Sequence, residues 1–264
     1  MIRRREFIAG LGAAAWPLAA RAQRDDRVRT LLLQILRLKA ETTAEMIRQF
    51  FGETEGHIRW TTELPWSAGT LDQRKFDGLR LLRQVPAITE LAQLDSTGKE
   101  QLGVSRLARD VVGSQIDFSH EPKFADTVAK KVYYNPVYFR RESEPYMTLA
   151  LAGTRRDAGV SVAEVNLKAI WNAVLQMKVG EHSVAYIVDA EGRVVVHPDA
   201  SFQSDFSNLA QVQAARTVGS GAAAVEGARD IRGREVPSAY AAITPLGWFV
   251  LVEQPADEAN APAR

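Results

Sequence analysis

Cysteine is absent from all 264 residues, which removes disulfides, thiol catalysis and cysteine metal sites together. Histidine is scarce: His57, His120, His182 and His197 are the full set, and none stands at the H-E-x-x-H spacing that brings two imidazoles to one helix face. An excess of either charge is missing too. The 33 basic and 32 acidic residues are spread along the chain and leave a formal net charge of +1, so there is no electrostatic footprint for nucleic acid or an anionic membrane. G-x-S-x-G, Walker A, GxGxxG and kinase-type constellations do not occur. These absences predict a protein that is not an enzyme, carries no metal or cofactor and binds no nucleic acid. What is present, 46% hydrophobic and 25% charged, is ordinary globular material, enough for one large domain or two modules of roughly 100 residues.

Residues 2–22 read as an address. A basic head, Arg3-Arg4-Arg5, precedes an apolar middle from Phe7 to Leu18 and a small-residue site, Ala20-Arg21-Ala22. The order Arg4-Arg5-Glu6-Phe7-Ile8 resembles the twin-arginine export signal, R-R-x-F-[LI], which implies a periplasmic protein cleaved after Ala22. The alternative is an uncleaved anchor, but the run is short and rich in Ala and Gly for about 30 Å of hydrocarbon.

Beyond the leader, apolar residues recur at helical spacing from Arg27 to about Glu55: Leu32, Ile35, Leu36, Thr43, Met46, Ile47, Phe50 and Phe51. One long packing helix is expected over 23–60, with a homodimer contact along it as a further role. A second helical pattern, Leu71 to Gln84, stops at Pro86. Then Ile88 to Leu94 runs into Asp95-Ser96-Thr97-Gly98-Lys99, a turn in which Asp bonds the backbone ahead and Gly takes positive φ.

That hairpin recurs. Val184 to Val196 repeats strand, Asp-x-x-Gly-basic turn and returning strand, with Asp189 lying 94 residues after Asp95. Each turn is followed by a mixed polar stretch and a pair of strands: Val137 to Phe139 with Pro145 to Leu151, and Gly221 to Val225 with Pro237 to Ile243. Each half closes on a glycine-led strand, at Gly159 and at Gly247, 88 residues apart. Between the halves, Leu167, Ile170, Trp171, Val174 and Leu175 mark a linker helix. The predicted fold class is α+β: a long N-terminal helix followed by two tandem PAS-like modules, each an antiparallel sheet with flanking helices. The expected divisions are a leader over 1–22, the helix over 23–60, a membrane-distal module over 61–165, a membrane-proximal module over 166–255 and a tail over 256–264.

Over residues 27–258 the chain resembles the double Cache domains, extracytoplasmic sensors of bacterial histidine kinases, chemoreceptors and nucleotide cyclases. The resemblance rests on Val165-Asn166-Leu167, Lys178 to Glu181, Ala185 to Asp189 with Gly192 and His197-Pro198-Asp199, Gly247-Trp248, Val252 to Pro255, and the pair Pro136 to Phe139 with Ser143 to Tyr146. It implies a small organic solute held in the distal module and a signalling partner in the membrane. The amino-acid-binding branch carries Arg-x-Trp before the later strands, a Tyr on them and an Asp at the end of the last. Here Phe118 to Phe124 has no Arg-x-Trp, and Asn166 is read at the terminal Asp position, which leaves a carboxylate, a neutral solute or no ligand in place of an ordinary amino acid.

On this reading the ligand-binding candidates are Tyr134, Tyr138, Tyr146 and Asn166, with Lys123 or Arg140 as counter-charge. Each has a plainer alternative: strand aromatics for the tyrosines, a hairpin tip for Arg140, a helix cap for Asn166. His197-Pro198-Asp199, Asp95 and Asp189 are read as turn residues. With no transmitter sequence following Gln254-Pro255, the expectations are a free periplasmic sensor, an ectodomain severed from a kinase or cyclase, or an interaction protein built on the first helix.

Overall fold

The structure is a computed structural model describing residues 7–63, 66, 68–140, 144–155, 157–177, 183–199 and 205–254, with the backbone alone for 7–22 and 25. The calls on Arg3 to Glu6, on Ser143, on Lys178 to Glu181 and on the tail lie outside the described residues. The long helix α1 is Phe7–Arg59, continuing N-terminally through the segment read as a leader. Its buried stripe is Leu36, Ala40, Thr43, Ala44, Ile47, Phe51, Thr54 and Ile58, one residue per turn of a 3.6-residue period. Ile35 and Met46, expected on that face, stand 47% and 38% exposed, each about 100° from a buried neighbour in sequence.

The chain divides into two compact units: one is Met46–Ala173, the other combines Met1–Glu45 with Val174–Arg264. In the first, helix α2 (Leu71–Gln84) starts where the Thr70 hydroxyl accepts the Gln73 N–H, at 3.2 Å. It ends where Pro86 forbids continuation. There follow β1 (Ile88–Leu94), β2 (Glu100–Ser105), β3 (Val111–Val112), α3 (Pro122–Lys130), β4 (Val132–Tyr134), β5 (Tyr138–Arg140), β6 (Glu144–Ala152), β7 (Val160–Asn166) and α4 (Lys168–Leu175). The strands form one antiparallel sheet, β3-β2-β1-β7-β6-β4, with β5 also paired to β6. One face lies under α1 and α2. There Gln93 donates to the Thr61 carbonyl at 3.1 Å, Thr61 and Ser161 share a hydrogen bond at 2.9 Å, and Gly78 leaves room for Val104. The other face lies under α3, whose Phe124 packs on Leu94, Ala150, Ala152, Val160 and Val162.

The second unit has β8 (Val184–Val188), β9 (Val194–Val196), α5 (Ala210–Val218), β10 (Ala222–Val225), β11 (Ser238–Ile243) and β12 (Trp248–Glu253), in the order β10-β11-β12-β8-β9. α5 covers one face of this sheet over Tyr186, Phe206, Tyr240, Phe249 and Leu251. The α+β architecture of a long N-terminal helix followed along the chain by two antiparallel sheets is thus the expected one. The mixed polar stretches turn out to hold α3 and α5, nine-residue helices with few large apolar side chains to mark a period.

The repeat extends further than the hairpins. Asp95 Oδ1 accepts the Thr97 and Lys99 N–H groups, and Asp189 Oδ1 those of Glu191 and Arg193, which accounts for both aspartates as turn residues. Asp230 makes the same turn a third time with Arg232 and Arg234. Asp117-Phe118-Ser119 and Asp205-Phe206-Ser207 then cross Gly98 and Gly192 so closely that a Cβ there would lie 2.7 Å from the serine Cα in both modules. Glycine is required by that approach as well as by positive φ.

Candidate functional site

On the α3 side of the first sheet, β7 presents Val160, Val162, Glu164 and Asn166, with Ala152, Ala150, Thr148 and Tyr146 of β6 opposite them. Leu94, Ala92 and Glu90 of β1 extend this face, and Tyr138 pairs opposite Tyr146. Its character changes along the strands. It is apolar and roofed by α3 at Val160, small-chained where Gly103, Ala92, Val162 and Ala150 form a row, and charged at Glu164.

At the charged end, the Glu164 carboxylate accepts hydrogen bonds from the Tyr138 hydroxyl and from Thr148 Oγ1, the latter at 2.9 Å. Arg140 donates to Glu90 at 2.6 Å and to the Tyr138 hydroxyl at 3.1 Å, and lies 3.7 Å from Glu164. Its guanidinium stands 4.7 Å from the Tyr146 ring centroid, and the Tyr138 and Tyr146 rings stack at 6.2 Å. Glu90 and Glu164 are cross-strand neighbours that would repel without a cation between them, and Arg140 is that cation. Burial, followed by the bond to Glu164, pushes the Tyr138 pKa up to about 12, so this hydroxyl remains a donor at physiological pH. Burial opposes the Arg140 charge, but Glu90 and Tyr138 outweigh it and raise its pKa. Two carboxylates against one guanidinium leave the cluster net negative.

At the other end is a cavity of about 270 Å³ lined by Phe124, Val128, Ala152 and Gly159, with Lys131 and Arg155 also on its wall. Among the described residues neither Lys131 nor Arg155 forms an ion pair. Asp126 pairs with Lys130 at 3.1 Å, and Asp95 bonds its own turn.

The structure therefore brings three of the sequence candidates together, Tyr138, Tyr146 and Arg140, and separates the rest. Tyr134 pairs with Leu149, on the opposite face of β6 from Tyr146, and its hydroxyl donates to Glu55 of α1 beside the Phe51 ring. Burial first, then Glu55, raises its pKa. Lys123 pairs with Glu121 at 3.1 Å over the Phe118 ring. Asn166 is on the face, but its side-chain oxygen accepts the Lys168 N–H at 2.8 Å, capping the start of α4. The acid at this end of β7 is Glu164, two residues earlier. Its signal was in the sequence, as a charge at the phase of Val160 and Val162. Glu90 carried the same signal, in phase with Ala92 and Leu94, while Lys131 and Arg155 had none. His197 is a turn residue, its Nδ1 accepting the Asp199 N–H at 3.0 Å. No cluster of metal ligands, and no helix long and apolar enough to cross a membrane, occurs among the described residues.

A family model described as a Cache domain matches residues 20–263. The sensory domain of the Campylobacter jejuni chemoreceptor Tlp3 superposes with a TM-score of 0.69 at 10% identity, covering 90% of this chain and 98% of that one; a further structure of it has isoleucine bound. The periplasmic sensory domain of the Campylobacter jejuni chemoreceptor Tlp1 gives 0.68 at 14% identity, covering 90% and 99%. The extracellular domain of the histidine kinase mmHK1S-Z2 gives 0.67 at 12% identity, covering 86% and 98%. No curated protein matches by sequence.

Proposed function

Because the chain belongs to the Cache domain family, we propose that its first module senses a small zwitterionic solute of the amino-acid type, outside the cytoplasmic membrane, on behalf of a membrane-bound signalling partner. The observation that carries this reading is one sheet face with opposite charges at its two ends. An ammonium group goes to Glu164, where Tyr138 and Thr148 already orient the carboxylate, and a carboxylate goes to Lys131 and Arg155. Val160 and Glu164 are four strand residues apart, about 13 Å, which side chains reaching in from both ends shorten to the span of a small dipolar molecule. Arg140, bonded to Glu90 at 2.6 Å and 3.7 Å from Glu164, lies beside the place of the ligand's cation and draws back from Glu164 when the ligand arrives, a two-state element for signalling.

The solute suggested by Asn166 was a carboxylate or neutral molecule; Glu164 supplies the negative charge that Asn166 cannot, and the Tlp3 structure with isoleucine is in keeping with it. Titration calorimetry with free amino acids and their N-acetylated and amide forms tests the proposal. Saturable binding of the free forms alone, weakened more than about tenfold in Glu164→Gln, is expected. Equal binding of capped forms, or an unaffected Glu164→Gln protein, rejects it. Export to the periplasm through the twin-arginine leader is part of the same proposal, and relocation failure on changing Arg4 and Arg5 to Lys is its check.

A second reading, compatible with the first, is a homodimer along α1. Val28, Leu31, Ile35 and Leu38 are exposed at 3-4-3 spacing, on the side of the helix away from Leu36, Ala40 and Ile47. That spacing is the seam of a two-stranded coiled coil, which a second copy of the same helix complements.

A further inference from the structure

The second module repeats the acid of the first in a form closed by its own side chains. In the first sheet Leu94, Ala92 and Glu90 pair with Val160, Val162 and Glu164; in the second, Val188, Tyr186 and Val184 pair with Phe249, Leu251 and Glu253. Across the next strand, Thr148 faces Glu164 and Ser238 faces Glu253. Glu253 is therefore the counterpart of Glu164 by register, yet it is 7% exposed. Its carboxyl accepts from the Tyr186 hydroxyl and from Gln211 Nε2 at 2.6 Å, and the same amide nitrogen reaches the Arg229 carbonyl at 2.9 Å.

No cation is paired with Glu253 among the described residues. From β8 it meets Tyr186, whose ring packs 5.7 Å from that of His197, just past β9; burial pushes the His197 pKa below the usual 6.5. From α5 it meets Gln211, and from β11, Ser238 and the more distant Tyr240. The loop before β11 supplies a like charge, Asp230, ion-paired to Arg234 at 2.8 Å, while the Arg229 guanidinium turns to the Gly233 carbonyl at 2.9 Å. Two neighbouring acceptors, Gln211 Oε1 and Ser238 Oγ, are buried without a hydrogen-bond partner among the described residues. A protonated carboxyl supplies the O–H donor that this pocket lacks, whereas an ionised one has two donors and no counter-ion.

We infer that the second module is a proton sensor, in which Glu253 is protonated when α5 is seated on the sheet and loses its proton to the surrounding medium as α5 loosens. Burial dominates the raised pKa of this carboxyl, about 7 against 4.5, with the Tyr186 and Gln211 bonds pulling the other way and Asp230 adding to it. A raised carboxyl pKa stabilises the folded form fully below the unfolded value, and that stability is lost as pH rises through about 7.

The test is ¹³C NMR of the glutamate carboxyls in the full chain, with Glu253 assigned by its absence in Glu253→Gln, together with hydrogen exchange of residues 210–218 corrected for intrinsic rates. The expected results are a Glu253 midpoint near 7, α5 protection falling across the same pH interval, and protection independent of pH in Glu253→Gln. Should Glu253→Gln not fold, Tyr186→Phe, which removes one donor to the carboxylate, is expected to move the midpoint upward. A midpoint below 5, or α5 protection unchanged by pH in the wild type, overturns the inference. Amino-acid binding by the first module is read separately and stands or falls on Glu164.

Discussion

Gly159 opens β7 and lines the cationic cavity, so replacing it tests the geometry on which the first module depends. Its φ is +74°, and an added Cβ would lie 2.0 Å from the Leu94 carbonyl oxygen and 3.0 Å from the Asp95 carbonyl carbon. Gly113, in the same unit, has nearly the same φ, +64°, with nothing within 4 Å of the added atom. Both alanine variants carry the left-handed strain, about 1–2 kcal/mol. Only Gly159→Ala must also push the end of β1 away by more than an ångström, an overpacking cost of about 1–3 kcal/mol more. Of a typical domain stability of about 5–15 kcal/mol, Gly159→Ala therefore removes a large share and Gly113→Ala a small one. Urea unfolding followed by circular dichroism reads the difference. If the two variants agree within about 0.5 kcal/mol, the close approach of β7 to the β1 end is wrong, and with it the shape of the cavity.

Other consequences are cheaper to check. Asn166→Ala removes the cap on Lys168 and is expected to lower stability by about 1 kcal/mol in urea without changing amino-acid titration; weaker binding would restore Asn166 to the site. Tyr134→Phe removes one hydrogen bond from Glu55, which keeps Arg59 at 3.8 Å, and should cost about 1 kcal/mol, again with affinity unchanged, whereas Tyr138→Phe should weaken binding by disordering Glu164. Leu31→Glu combined with Leu38→Glu places charges in the exposed seam of α1: sedimentation should show dimer for the wild type and monomer for the variant, and a wild-type monomer at high concentration refutes the seam.

Much of the fold was written locally. The Asp-x-x-Gly turns need only an aspartate that bonds the backbone ahead and a glycine at positive φ, so Asp95 and Asp189 announced their hairpins, and α2 was bounded by Pro86 and its apolar spacing. The helices α3 and α5 were not legible. They bury Phe124 and Thr127 in one and Gln211, Val212 and Ala215 in the other, too few large apolar side chains to mark a period, unlike α4 with Ile170, Trp171 and Val174. The site was half legible for a different reason. Tyr138, Tyr146 and Arg140 stood out as aromatic and basic residues near a hairpin, but Tyr134 looked the same and went to the other face. Sequence distance does not encode which side of a pleated strand a residue occupies once the chain breaks between β4 and β5 at Asn135 to Val137.

From its order of residues alone, this protein's duplicated α+β plan follows, because turns, caps and strand alternation are settled by neighbours within a few positions. The charges of its first module could be sorted only by strand pairing, which puts Glu90 of β1 beside Glu164 of β7 and lets Arg140 of β5 reach both. The burial of Glu253 is likewise a property of β8, β11, β12 and α5 together. Solvent exclusion is set by what packs from far along the chain, and no window of sequence contains it.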